Sequence, residues 1–187
     1  MFNYNEITPK KFIVLDGEPY EVLSSNVFRK QQRKPVNQTK LKNLITGKVL
    51  ERSFHQSETT PEADLEKQKA EFIYARKDQA IFCKPGNPKT RYEIPRALTE
   101  DKEKYMKNGD VLDLLLFEEE VIDVLLPIKV ELKVTVAVPA VKGNTSQGAT
   151  KDVELETGMS ISVPLFIKEG DVLRITTETG QYTERVT

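Results

Sequence analysis

Residues 26–54 read NVFRKQQRKPVNQTKLKNLITGKVLERSF, and the reading of this stretch decides the fold. Eight lysines or arginines stand in it (Arg29, Lys30, Arg33, Lys34, Lys40, Lys42, Lys48 and Arg52) against one acid, Glu51. In a chain whose formal net charge is -1, that concentration makes a local field favourable to a polyanion. Residues 38–44 alternate, with Lys40 and Lys42 on one face and Thr39 and Leu41 on the other, which is the period of a strand. Residues 18–28 place Tyr20, Val22 and Val27 in a strand-like context. Between these runs, residues 29–35 are polar apart from Pro35. The pattern predicts a hairpin with a long basic tip, because a solvated loop needs no core and Pro35 stiffens its return. A second turn is expected at Thr46-Gly47, where glycine supplies the positive φ of a tight hairpin. Edge protection by Lys and Arg is the plainer explanation of such charge. It accounts for scattered lysines better than for four cations within residues 29–34.

Working outward, 187 residues allow two or three modules with a sizeable core. No apolar run approaches the roughly 20 residues that span a bilayer. Residues 1–11 lack the charged start and apolar stretch of a secretion signal, so a cytoplasmic location and no membrane partner are expected. Cys83, the single cysteine, sits in AIFCK and reads as a small buried strand residue. His55 is the only histidine. One of each makes neither a typical structural zinc site nor a Cys/His/Asp triad. No phosphate-binding loop, dinucleotide turn, nucleophile elbow or zinc-protease helix pattern occurs. Glu118-Glu119-Glu120 reads as a solvated acidic turn rather than a pair of working carboxylates. The expectation is a protein that is not an enzyme, has no catalytic residues, and needs neither cofactor nor metal.

Taken in order, the chain reads as all-β in three small barrels, residues 1–64, 65–127 and 128–187. In the first, residues 13–15 and 18–23 are strands joined at Asp16-Gly17, and residues 56–68 (QSETTPEADLEKQ) read as a linker or exposed turn. In the second, residues 70–75 and 79–83 are strand-like and residues 84–89 (KPGNPK) form a loop. Only residues 97–107 look helical, ended by Asn108-Gly109. Two buried strands are expected around the acidic turn. From residue 97 to 127 nine acids stand against three lysines, a composition that phosphates would repel. In the third, residues 130–138 (VELKVTVAV) alternate strictly, and residues 159–166, 171–176 and 182–186 are further strands. Short strands punctuated by turns suit an OB-type barrel in both later units, a fold that often binds single-stranded nucleic acid.

Residues 151–170, KDVELETGMSISVPLFIKEG, closely resemble the signature of the bacterial elongation factor P family: a lysine, a small residue two on, Gly158, Val163-Pro164 and Gly170. Family members usually have alanine where Val153 stands. Residues 15–20 (LDGEPY), Lys40-Leu41, residues 44–47 (LITG) and residues 141–145 (VKGNT) add to the likeness, which spans the whole chain. The resemblance implies an L-shaped protein with a KOW/SH3-like first domain and two OB-fold domains. It also implies a translation elongation factor that binds the ribosome beside peptidyl-tRNA, between the P and E sites, as a monomer, and promotes peptide-bond formation at consecutive prolines. On that reading Arg29, Lys30, Gln31, Gln32, Arg33 and Lys34 form the tip toward the tRNA acceptor end. Lys40, Lys42 and Arg52 contact RNA phosphates, and Gly143, Asn144 and Thr145 form a loop toward E-site mRNA.

The chain departs from the family pattern at two places. Many members carry Pro-Gly-Lys-Gly at the tip with a modified lysine, and ungapped counting from Lys40-Leu41 puts Gln32 there. An unmodified tip is therefore expected, with Arg33, Lys34 or Lys30 as weaker candidates for modification. Asn144 replaces a common aspartate; asparagine keeps an acceptor oxygen and adds donors. Two other readings stay open: a general RNA-binding protein of KOW and OB barrels, and a paralogue serving different stalling motifs.

Overall fold

The computed structural model describes residues 1–29, 34–137 and 150–186. The strands, in chain order, are β1 (Phe2–Asn3), β2 (Phe12–Leu15), β3 (Glu18–Phe28), β4 (Val36–Asn43), β5 (Val49–His55) and β6 (Thr59–Thr60). They continue with β7 (Leu65–Ala75), β8 (Gln79–Lys84), β9 (Asn87–Pro95), β10 (Val111–Phe117) and β11 (Glu120–Leu125). The last are β12 (Lys129–Ala137), β13 (Thr150–Leu155), β14 (Ser160–Pro164), β15 (Val172–Thr176) and β16 (Gln181–Val186). Their sheets are a four-stranded β2-β3-β4-β5, a two-stranded β1-β6, and two five-stranded sheets, β11-β10-β7-β8-β9 and β14-β13-β12-β15-β16. In β11-β10-β7-β8-β9 the strands, numbered within the set, run 5-4-1-2-3, and β14-β13-β12-β15-β16 runs 3-2-1-4-5, the same order read from the other edge; this is the connectivity expected of OB barrels. The fold is all-β, as the short turn-punctuated strands indicate.

By compactness the chain falls into two units, Met1–Gln68 with Leu114–Asp123, and Lys69–Asp113 with Val124–Thr187. In the first, Ile7, Ile13, Val22, Leu41 and Phe54 form the centre of a buried cluster. The β2–β3 turn has φ 51° at Asp16 and 83° at Gly17, the twist a two-residue hairpin needs. The segment read as a linker is integrated instead. Thr59 and Thr60 pair with Asn3 and Phe2, and Thr60 Oγ1 donates to the Val14 carbonyl at 2.8 Å. Ala63 is buried and its N–H donates to the Phe12 carbonyl at 3.0 Å. These ties are hydrogen bonds to the backbone made largely by polar residues, so no apolar period announces them.

In the second unit, Phe72 and Phe82 tilt together at 5.3 Å between centroids, and Cys83 is buried on β8 as expected. The loop expected over residues 84–89 is shorter, because Gly86 at φ 75° turns the chain and β9 begins at Asn87. The helix expected over residues 97–107 is replaced by two single 3-10 turns, Arg96–Leu98 and Glu103–Tyr105. Its apolar residues, Leu98, Tyr105 and Met106, do not make a continuous stripe at helical spacing, so a continuous helix here would have no face to bury and could not repay nucleation. Its groups are satisfied locally: the Arg96 guanidinium donates twice to the Glu103 carboxylate, both at 3.0 Å.

The C-terminal barrel is built from Val130, Leu132, Val134, Val153, Leu155, Val163, Ile167, Leu173 and Ile175, and Tyr105 inserts into the same cluster. Around Tyr105, Thr157 Oγ1 donates to the Lys104 carbonyl at 2.7 Å and Lys107 Nζ lies 3.5 Å from the Glu156 carboxylate. Gly180 sits against the ring, at φ +69°; a Cβ there would meet the Tyr105 hydroxyl at 3.0 Å and the Met159 methyl at 3.3 Å.

Candidate nucleic-acid interface

The hairpin expected from residues 26–54 is β3–β4, paired from Tyr20↔Asn43 at its base to Phe28↔Val36 at its end, with β5 continuing the sheet. A register shift between Val22 and Ser24 restores the pairing that puts Ser24 opposite Lys40. Along β4 the burial alternates: Asn37, Thr39, Leu41 and Asn43 are buried, while Gln38, Lys40 and Lys42 are exposed. From Gln38 onward the outward side of β4 is therefore polar and carries both lysines. Across the sheet Glu51 faces Lys40 and Glu21 faces Lys42, so each ammonium has one acid nearby. Arg29 and Lys34 are exposed where the hairpin leaves its strands. Lys30, Gln31, Gln32 and Arg33 lie outside the described residues, as do Gly143, Asn144 and Thr145.

Arg52 does not share the lysine face. It pairs with Thr39, which is buried, and the strand period therefore turns Arg52 to the opposite side. There its guanidinium stacks 4.8 Å from the centre of the Phe54 ring and approaches the Glu58 carboxylate at 3.5 Å. Glu58 also accepts the His55 backbone N–H at 2.6 Å. That bond, with help from Arg52, holds the Glu58 carboxyl below its ordinary pKa despite opposing desolvation.

The sheet is anchored from beneath by residues that the charge pattern does not reveal. The Asn37 amide, fully buried, donates to the carbonyls of Tyr4 at 2.6 Å and Ile7 at 3.0 Å. Asn43 accepts the N–H groups of Ile45 at 2.9 Å and Thr46 at 2.8 Å, and donates to Glu18 at 2.5 Å. It thereby shapes the turn that Gly47 completes at φ 70°. The signal was available, since asparagine on the inward side of an alternating strand must bond something.

Two exposed ammonium groups on one pleat favour an anion over a cation there. His55 is exposed at the end of β5 while Cys83 is buried on β8. Among the described residues no group of three or more His, Cys, Asp or Glu could hold a metal ion. No helix among them is long and apolar enough to cross a membrane.

Comparison with known proteins agrees along the chain. Residues 3–60 match the model of the "Elongation factor P (EF-P) KOW-like domain", residues 65–124 the "Elongation factor P (EF-P) OB domain", and residues 130–185 "Elongation factor P, C-terminal". Elongation factor P of Thermodesulfovibrio yellowstonii is 35% identical over 186 residues, covering 100% of this chain and 99% of the relative. That of Aquifex aeolicus is 37% identical over 184 residues, 97% of this chain and 94% of the relative. Among solved structures, a eukaryotic translation initiation factor 5A from Methanococcus jannaschii aligns with a TM-score of 0.53 at 12% identity, covering 66% of this chain and 92% of that one. A translation initiation factor of the same kind from Naegleria fowleri gives 0.51 at 11% identity, over 67% of this chain and 96% of that one. At such identities these two likenesses concern the fold alone.

Proposed function

The chain belongs to the elongation factor P family of translation elongation factors, and from that membership we propose that it binds the ribosome as a monomer between the P and E sites, beside peptidyl-tRNA. There the β3–β4 tip orients the tRNA acceptor end when consecutive prolines are joined. The observation that carries this reading is the placement of Lys40 and Lys42 on one exposed face, with Arg29 and Lys34 exposed at the mouth of the tip. Proline is a rigid secondary-amine nucleophile, so holding the reacting ends together lowers the entropic part of the barrier without a group of the factor doing chemistry. Lys40 and Lys42 supply phosphate contacts. Residues 29–34 carry the positioning contacts, residues 143–145 approach mRNA in the E site, and the tip acts unmodified. Domains 1–64, 65–127 and 128–187 divide these tasks, in the cytoplasm.

The test is a purified translation system with reporters that contain or lack a proline run. Wild-type protein is expected to raise yield from the proline reporter alone. A Gln31→Ala/Gln32→Ala/Arg33→Ala variant is expected to keep ribosome affinity and lose the proline-specific rate, because orienting contacts count most in the transition state. Equal stimulation of both reporters by the wild type would overturn the proposal in favour of general RNA binding. Gln32 at the tip position specifically favours a second version, a factor serving a different subset of stalling motifs, and reporters with varied motifs discriminate it. The intact mass of protein from its native host should equal the sequence mass, apart from loss of Met1.

A further inference from the structure

The registers of β3, β4 and β5 line up outward residues in rows that cross the sheet. Phe28, Val36 and His55 form the row nearest the tip. Phe28 is 51% exposed, His55 is exposed and Val36 half-buried. Asn26, Gln38 and Ser53 form the next row, all exposed, and Lys40 stands in the row after that. Strands lie about 4.8 Å apart, and rows on one face recur about every 6.7 Å. An apolar ledge, a band of amide and hydroxyl groups and a line of ammonium groups thus follow one another within the span of a few nucleotides. The fold does not require the ledge: the core side of the same sheet is filled by Leu41 and Phe54, which are 0% and 1% exposed.

We propose that this face binds unpaired nucleotides of RNA, with bases stacked on Phe28 and, on the far side of Val36, on His55, base edges met by Asn26 and Gln38, and the phosphate chain running toward Lys40 and Lys42. The inference rests on the ribosome-binding reading and gives that contact a chemical form: single strand rather than duplex. In an A-form duplex the bases are stacked on one another, and a protein meets sugars, phosphates and a shallow groove, for which lysines suffice. An exposed aromatic beside amides is what an unstacked base can use, and it tolerates any sequence because every base has a π face. The charge also fits a nucleic acid: Glu51 and the half-buried Glu21 are outnumbered by Lys40 and Lys42 together with Arg29 and Lys34 at the mouth of the tip, all four exposed.

The experiment measures anisotropy of a short, unstructured, labelled oligoribonucleotide with the full chain, alongside the same sequence paired into a duplex. The single strand is expected to bind more tightly. Phe28→Ala/His55→Ala is expected to weaken single-strand binding by about five- to a hundredfold without altering its salt slope. Phe28→Tyr, which keeps the ring, is expected to bind like wild type. Lys40→Gln/Lys42→Gln should instead lower the slope of log K against log salt by roughly 0.7 for each phosphate that is no longer neutralised. Equal or tighter duplex binding, no wild-type binding, or an unaffected Phe28→Ala/His55→Ala variant would overturn the inference. The proline reporter separates the two ideas. Wild-type rescue with an inert aromatic row removes this inference alone, and a failed rescue with intact, ring-dependent binding removes the ribosomal reading alone.

Discussion

The outward face of β3–β4–β5 and that of β13–β14 are alike in texture and opposite in charge. Each is an exposed pleat of small polar residues: Ser24, Asn26, Gln38 and Ser53 on one, Thr150, Ser160 and Ser162 on the other. Among the first stand Lys40 and Lys42. Among the second stand Asp152, opposite Ser162, and Glu154, opposite Ser160. Strands two and three of an OB barrel are the face such folds usually turn to nucleic acid, and β13–β14 are those strands here. Two exposed carboxylates on that pleat repel a phosphate chain, so the fold's usual surface is unfavourable while the smaller first sheet is favourable. Function follows the side chains grafted on a face rather than the fold that supplies it.

The contrast is most strongly broken from beneath. Asn37→Ala removes both donors to the Tyr4 and Ile7 carbonyls and is expected to cost about 2–4 kcal/mol, two buried acceptors losing their partner. A denaturant midpoint within error of wild type would show that the sheet is not held this way. Next in size, Lys40→Gln/Lys42→Gln should lower the salt slope of ribosome binding by roughly 1.4–1.8, whereas Asp152→Asn/Glu154→Gln should leave it unchanged. A comparable change from both pairs would erase the distinction between the faces. Glu51→Gln removes the acid opposite Lys40 and is expected to tighten RNA binding about threefold, an exposed-pair effect that fades with salt. The smallest effect concerns acid. The folded-state pKa of Glu58 is depressed, chiefly by the His55 N–H, so its stabilisation is present above the ordinary carboxylate range and is lost as pH falls through the folded value. Glu58→Gln should flatten that acid limb slightly, seen as a smaller drop in urea midpoint between neutral and acid pH.

What was legible beforehand was what repeats. The alternation within residues 38–44 gave β4 its faces, and the recurrence of short strands and glycine turns gave the barrels. Missed features depend on partners far along the chain. Thr59 and Thr60 look like loop residues until β1 is beside them, and Arg52 looks like one more cation until its register with Thr39 turns it away. The helical look of residues 97–107 came from Glu and Lys propensity, which loses when a segment has no apolar stripe to bury. At Glu118 and Glu119 the acidic turn was legible but its backbone was not: both have positive φ, 50° and 69°, where glycine or asparagine is usual.

Tyr105 carries a consequence for inheritance. Its ring belongs to the core of a barrel that begins more than twenty residues later in the chain, and the absence of a side chain at Gly180 leaves room for its hydroxyl. A recombination event joining two relatives at the β11–β12 connection would therefore transplant half of a matched pair. A chimera with any larger residue at position 180 would meet a tyrosine already in the space, and one lacking the tyrosine would leave a slot in the C-terminal core. Lineages exchanging this barrel must exchange the short turn at Glu103–Tyr105 with it, so the unit passed on by descent is longer than the run of strands that defines the barrel.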